Sequence, residues 1–150
     1  MIPFLYMESI KQLYKIGMGP SSSHTMGPRK AAEQFAAAHP QAASFKATLY
    51  GSLAATGKGH LTDFAIKEGF EPRPVSILWE PAVFLPKHPN AILLQALDKA
   101  GHITDEKTVY SVGGGKIEDE TSVIKQSSVY PHKNMAEILS YTAKNRMLLW

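Results

Sequence analysis

The chain has 150 residues, 44% of them hydrophobic, with a formal charge of +3 and no cysteine. That length closes one core of ordinary size without covalent staples, and a single domain over 1–150 is expected. Scattered lysines without interleaved aromatics argue against a nucleic-acid surface, and the missing thiols exclude disulfides, thiolate catalysis and any zinc or cluster held by sulfur from this chain.

Met1 to Tyr14 lacks a basic stretch leading into a long apolar run, and no window reaches the roughly eighteen apolar residues of a membrane span, so a cytoplasmic location away from membranes is expected. The spacing of Ile10, Leu13, Tyr14 and Gly17 predicts a short helix over 7–16. Residues 17–25 read as a loop, and Gly27-Pro28 opens a second helix through Ala31, Ala32, Phe35 and Ala36 that stops at His39-Pro40. Phe45, Ala47 and Leu49 alternate with Lys46, Thr48 and Tyr50, the pattern of a strand. Gly51 to Gly59 reads as a small-residue loop, followed by a helix over 59–67 with Leu61, Phe64 and Ala65 at helical spacing and Gly69 as its stop.

Five prolines, Pro72, Pro74, Pro81, Pro86 and Pro89, confine a strand at Val75 to Trp79 to an edge or irregular role. Ala91 to Leu97 fits helix and strand alike, but Asp98 to Gly101 is turn chemistry and Thr108 to Val112 is β-branched and aromatic, which predicts a hairpin. Gly113-Gly114-Gly115 ends its second strand, and the segment to about Ser128 carries no clear pattern. Asn134 with Glu137 three residues on matches a capping box and starts a helix from Met135 to about Arg146. The apolar end at Arg146 to Trp150 reads as a cut chain, so more protein is expected to follow. Interleaved helices and strands give an α/β (α+β) class with a mixed β-sheet flanked by helices.

Small polar residues concentrate in three segments, Gly19 to Thr25, Gly51 to Asp63 and Ser111 to Lys116. Loops at element ends converge on a crevice in such folds, and helix N-termini favour anions, so a carboxylate or phosphate site is the natural inference. Ser21, Ser22, Ser23, His24 and Thr25 could together donate several hydrogen bonds to one anionic group; the plainer alternative is that Ser23 or Thr25 caps the next helix. A nucleophilic serine is disfavoured, because neighbours on one loop rarely set an imidazole against a hydroxyl and no Gly-x-Ser-x-Gly elbow is present.

Neither glycine-rich segment fits a nucleotide-binding loop: glycine follows Lys58 where Ser or Thr is required, and Gly113 to Lys116 lacks the upstream glycine. What remains in the second segment is Lys58, His60, Thr62 and Asp63 at a helix start, a grouping that could bind a carboxylate and move a proton, or simply be a solvated helix entrance. His39, His88, His102 and His132 sit in turn-like contexts and read as surface residues, the run Glu118-Asp119-Glu120 as a solvated loop, and no compact ligand spacing predicts a metal site.

Three motifs in order, Ile16 to Pro28 (IGMGPSSSHTMGP), Tyr50 to Asp63 (YGSLAATGKGHLTD) and Tyr110 to Gly115 (YSVGGG), resemble the β domain of the iron-sulfur L-serine dehydratases of bacteria, over a span from about Leu13 to Lys116. The resemblance implies a fold like that of allosteric substrate-binding domains and a role in deaminating L-serine to pyruvate and ammonia, within amino-acid catabolism and gluconeogenesis. It also implies a [4Fe-4S] cluster held by cysteines of a separate α domain, so that this chain is one domain of a homo-oligomeric enzyme and inactive alone. By the same resemblance, His24, His60 and Thr62 are the candidate catalytic residues, and Ser21, Ser22, Ser23, Thr25 and Lys58 the candidate substrate-binding ones. His60 leads, either for proton transfer or for carboxylate binding. The competing readings are a regulatory domain that senses a small acid, a hydrolase, and a structural module.

Overall fold

The computed structural model describes residues 15–122, 132 and 134–148, and the chain separates into two compact units, residues 16–122 and a unit joining 1–15 with 123–150. The larger unit runs α1 (Met26–Ala38), β1 (Ser44–Tyr50), α2 (Gly51–Thr56), α3 (Thr62–Phe70), β2 (Val75–Glu80), β3 (Ala91–Leu97), β4 (Ile103–Gly113) and β5 (Lys116–Asp119). Its five strands lie in the order β2-β1-β3-β4-β5. β1 and β2 are parallel and every other pair is antiparallel, so the sheet is mixed, as the interleaved pattern predicts. The smaller unit contributes α4 (Met135–Lys144), where Asn134 accepts from the Glu137 N–H at 3.0 Å in the predicted cap. No described helix is long and apolar enough to cross a membrane.

Alternation in β1 sends Phe45, Ala47 and Leu49 into the core, where Phe45 stacks on Phe70 with ring centroids 4.3 Å apart and meets Phe35 edge-on at 6.0 Å. Each such side chain, fully buried, is worth about 1.5–3 kcal/mol, so this aromatic trio fastens α1 and α3 to the sheet. Arg73 closes the far end of α1. Its guanidinium lies 4.6 Å from the Phe45 ring centre and donates to the carbonyls of His39 at 2.6 Å and Ala36 at 2.7 Å, adding a second donor to acceptors that already take the backbone N–H groups of Ala42 and His39.

Several expectations change. The helix predicted over 7–16 falls outside the described residues except for its last two, which are not helical. Gly51 to Gly59 is not all loop: α2 grows directly from β1, burying Leu53 and Ala54, with the Thr56 hydroxyl back-bonded to Ser52 O at 2.9 Å. The next helix starts at Thr62 rather than Gly59, after Leu61 in a left-handed conformation (φ 61°), which leaves Leu61 and Phe64 exposed and turns Ala65, Ile66 and Phe70 inward. Gly69 does not stop this helix. It is buried inside it, and a Cβ there would lie 2.7 Å from both Ala32 Cβ and Arg29 O, so the glycine is the point of closest approach of α1 and α3.

The ambiguous Ala91–Leu97 segment is a strand buried on both faces, and β4 extends the predicted hairpin at both ends. Glu118 and Asp119 belong to β5 rather than to a loop, and Asp119 pairs with Lys107 at 2.8 Å. Of the four histidines read as surface residues, only His102 is open; His39 is clamped between Phe35 O at 2.8 Å and Asp105 at 2.7 Å.

Candidate active site

The first two small-residue segments meet, and the third packs against the start of α1. The loop before α1 turns back on itself through His24 N–H and Thr25 N–H, both donated to Ser21 O at 3.1 and 3.0 Å, and through Gly27 N–H donated to Ser22 O at 3.0 Å. Thr25 is the N-cap residue of α1 but makes no side-chain cap; its hydroxyl is within 2.8 Å of Ser21 O and 2.5 Å of Met18 O. The serines are therefore not the helix cap, and Thr25 acts by shaping the loop that presents them.

That shape brings Ser21 Oγ and Ser23 Oγ each to 3.1 Å from His24 Nδ1 and to 3.2 Å from one another. The expectation that neighbours on this loop would not set a hydroxyl against the imidazole is overturned: two do, because the turn folds residue 21 over residue 24. On its other side His24 Nε2 lies 2.9 Å from Thr56 Oγ1, at the end of α2. The orienting partner is a hydroxyl rather than a carboxylate, which removes the third member of a hydrolytic triad.

His60 follows from the turn between α2 and α3. Its Nδ1–H donates to Thr56 O at 2.9 Å, which leaves the lone pair on Nε2, and its ring lies 4.7 Å from that of His24, centroid to centroid. Burial chiefly, and then the neighbouring His60, hold the His24 pKa below the ordinary histidine value, against a smaller opposing pull from a backbone hydrogen bond at Ser52. A buried imidazole kept neutral beside a half-buried one with a basic nitrogen can accept a proton and donate hydrogen bonds within one small volume.

Other predicted residues fall elsewhere. Ser22 is half-buried, its carbonyl spent on Gly27. Lys58 extends over the Trp79 ring at 5.6 Å, toward β2. Thr62 is completely buried with an unpartnered hydroxyl beside Gly57, so it does not line the open side of the site. The third segment packs on the start of α1 through Ser111, which is fully buried, has no hydrogen-bond partner for Oγ and sets that atom against Gly27, where any Cβ would collide with it. Asn90 stands beside it, its N–H₂ donating to Ser111 O at 3.4 Å and its Oδ1 unpartnered.

A family model described as serine dehydratase beta chain matches residues 9–77 and 72–122. The chain belongs to the serine dehydratase beta chain family. This beta chain is 32% identical over 95% of its residues to an L-serine dehydratase of Haemophilus influenzae, 32% over 90% to L-serine dehydratase 1 of Escherichia coli, and 36% over 77% to an L-serine dehydratase of Streptomyces coelicolor. It spans 42%, 40% and 34% of those relatives' lengths.

Sequence reasoning missed Thr56 as a member of the beta chain's candidate site. Thr56 contributes a backbone carbonyl as well as a hydroxyl, and a carbonyl leaves no signal in residue type.

Proposed function

We propose that this chain supplies the acid-base side of an L-serine dehydratase active site, acting with an α domain to convert L-serine to pyruvate and ammonia. The observation that carries the reading is the pair of imidazoles, 4.7 Å apart, on loops where two serine hydroxyls converge. Eliminating water from serine requires removal of the Cα proton, and the resulting enamine is hydrolysed to the keto acid and ammonia. His60, with Nδ1–H fixed and Nε2 basic, is the residue to take that proton. The Ser21 and Ser23 hydroxyls, held with His24, suit the substrate carboxylate.

A [4Fe-4S] cluster is assigned to the α domain in this reading. The chain has no cysteine, and its described residues include no grouping of three or more His, Cys, Asp or Glu able to hold a metal; they do not fit as cluster ligands. Departure of the substrate hydroxyl is accordingly not assigned to this chain. A partner is supported by exposed apolar side chains on the segments that carry the site: Met18 on the loop before α1, Leu61 next to His60, and Phe64 in the first turn of α3.

The test is His60→Ala in the enzyme assembled with its α domain. Turnover should fall roughly a hundredfold or more with folding intact. Near-normal turnover removes His60 from proton transfer, and serine binding by this chain alone, without the α domain, favours the sensing role instead.

A further inference from the structure

Both imidazoles are fixed by the same residue. Thr56 receives the His60 Nδ1–H on its carbonyl at 2.9 Å and stands 2.9 Å from His24 Nε2 with its hydroxyl, which itself points its proton at Ser52 O, 2.9 Å away. A hydroxyl whose proton is committed to a carbonyl can only accept at its remaining lone pairs. His24 therefore carries its proton on Nε2 and turns an unprotonated Nδ1 toward the two serines. His60 carries its proton on Nδ1 and keeps Nε2 basic.

We propose that Thr56 is the positioning residue of the site, setting opposite tautomers on His24 and His60 so that one imidazole orders the serine hydroxyls while the other holds a free base. The idea rests on the dehydratase reading for its catalytic consequence, but its structural core does not. Thr56 is well placed for this: it ends α2, which grows without a break from strand β1, and its hydroxyl is fixed within that helix by Ser52 O. With His24 Nε2 anchored to Thr56, the one lone pair of Nδ1 accepts from Ser21 or from Ser23, so either hydroxyl can turn to a ligand carboxylate while the other keeps Nδ1 satisfied.

Nitrogen-15 NMR of the full chain labelled at histidine, with His24→Gln used to assign the resonance, tests the first part without any reaction. His24 should be the Nε2–H form, and Thr56→Val should convert it to a tautomer mixture while Thr56→Ser preserves it. An Nδ1–H form in the wild type, or no change in the valine variant, overturns the proposal. In the assembled enzyme, Thr56→Val should lower kcat roughly tenfold or more and Thr56→Ser should restore most of it. A tautomer change with unaltered turnover would keep the positioning role and reject the dehydratase site, whereas equal losses in the serine and valine variants would overturn the hydroxyl's role. If the valine variant unfolds, Thr56→Ala carries the same comparison.

Discussion

Gly27 and Ser111 tie the start of α1 to the end of β4, and replacing Gly27 with alanine tests how tightly. A Cβ at residue 27 would lie 3.0 Å from Ser111 Cβ and closer still to Oγ, a separation that side chains do not adopt, so α1 or β4 has to move. Overpacking of this kind costs about 1–3 kcal/mol, while alanine gains about 1 kcal/mol over glycine in a helix, leaving a net loss of about 1 kcal/mol. For a unit of this size that corresponds to a drop in Tm of about 4–8 °C. Ser111→Ala alone should be neutral or stabilising by up to about 1 kcal/mol, since Oγ is buried without a partner. In the double variant the collision with Oγ is gone and most of the loss should disappear, a coupling of about 1 kcal/mol in a urea-unfolding cycle. A Gly27→Ala chain as stable as the wild type, or losses that simply add, would refute the close packing of this junction.

Arg73→Ala should cost about 2–3 kcal/mol in urea unfolding, because it strips two charge-assisted bonds from the α1 end; Arg73→Lys should recover less than half, since an ammonium does not present the planar fork that reaches both carbonyls. A loss below about 0.5 kcal/mol in the alanine variant would show that the backbone N–H groups of His39 and Ala42 satisfy these carbonyls unaided. His24 gives a pH signature. Its folded pKa lies below the ordinary value of 6.5, so the unfolded chain takes up this proton first as pH falls. Its contribution is thus complete above about pH 6.5 and declines as pH drops through the folded value. Unfolding midpoints measured from pH 7.5 to 5 should fall less steeply in His24→Gln, and identical slopes would place His24 in an ordinary solvated setting.

What the sequence revealed depended on whether burial was one-sided. β1 was legible because Phe45, Ala47 and Leu49 face the core while Lys46 and Tyr50 stay partly open. β3 was not, because the sheet's central strand is buried on both faces and its near-continuous apolar run fits either geometry. α2 was hidden by opening on a glycine, by its six-residue length and by having only Leu53 and Ala54 as buried apolar anchors. Gly69 resembled a stop signal because a stop and a helix-crossing point both call for a missing side chain.

The candidate site divides in the same way. Ser21, Ser23, His24 and His60 were found by residue type and are brought together. Thr56 escaped because what distinguishes it is the placement of its two oxygens, which only the fold determines.

The seamless passage from β1 into α2 also limits how this polypeptide can vary. Tyr50 is at once the last strand residue and the helix's leading flank, and Gly51 (φ 53°) has no room for a side chain beside Pro89 O and the Phe84 ring. One residue inserted there would rotate α2 by about 100° and displace Thr56 from His24, while the local bond from His60 to Thr56 O would travel with the helix; the same insertion in the Asp98 to Gly101 turn would leave both contacts untouched. Tolerance to length change should therefore differ sharply between two junctions that look equally loop-like when the sequence is read alone.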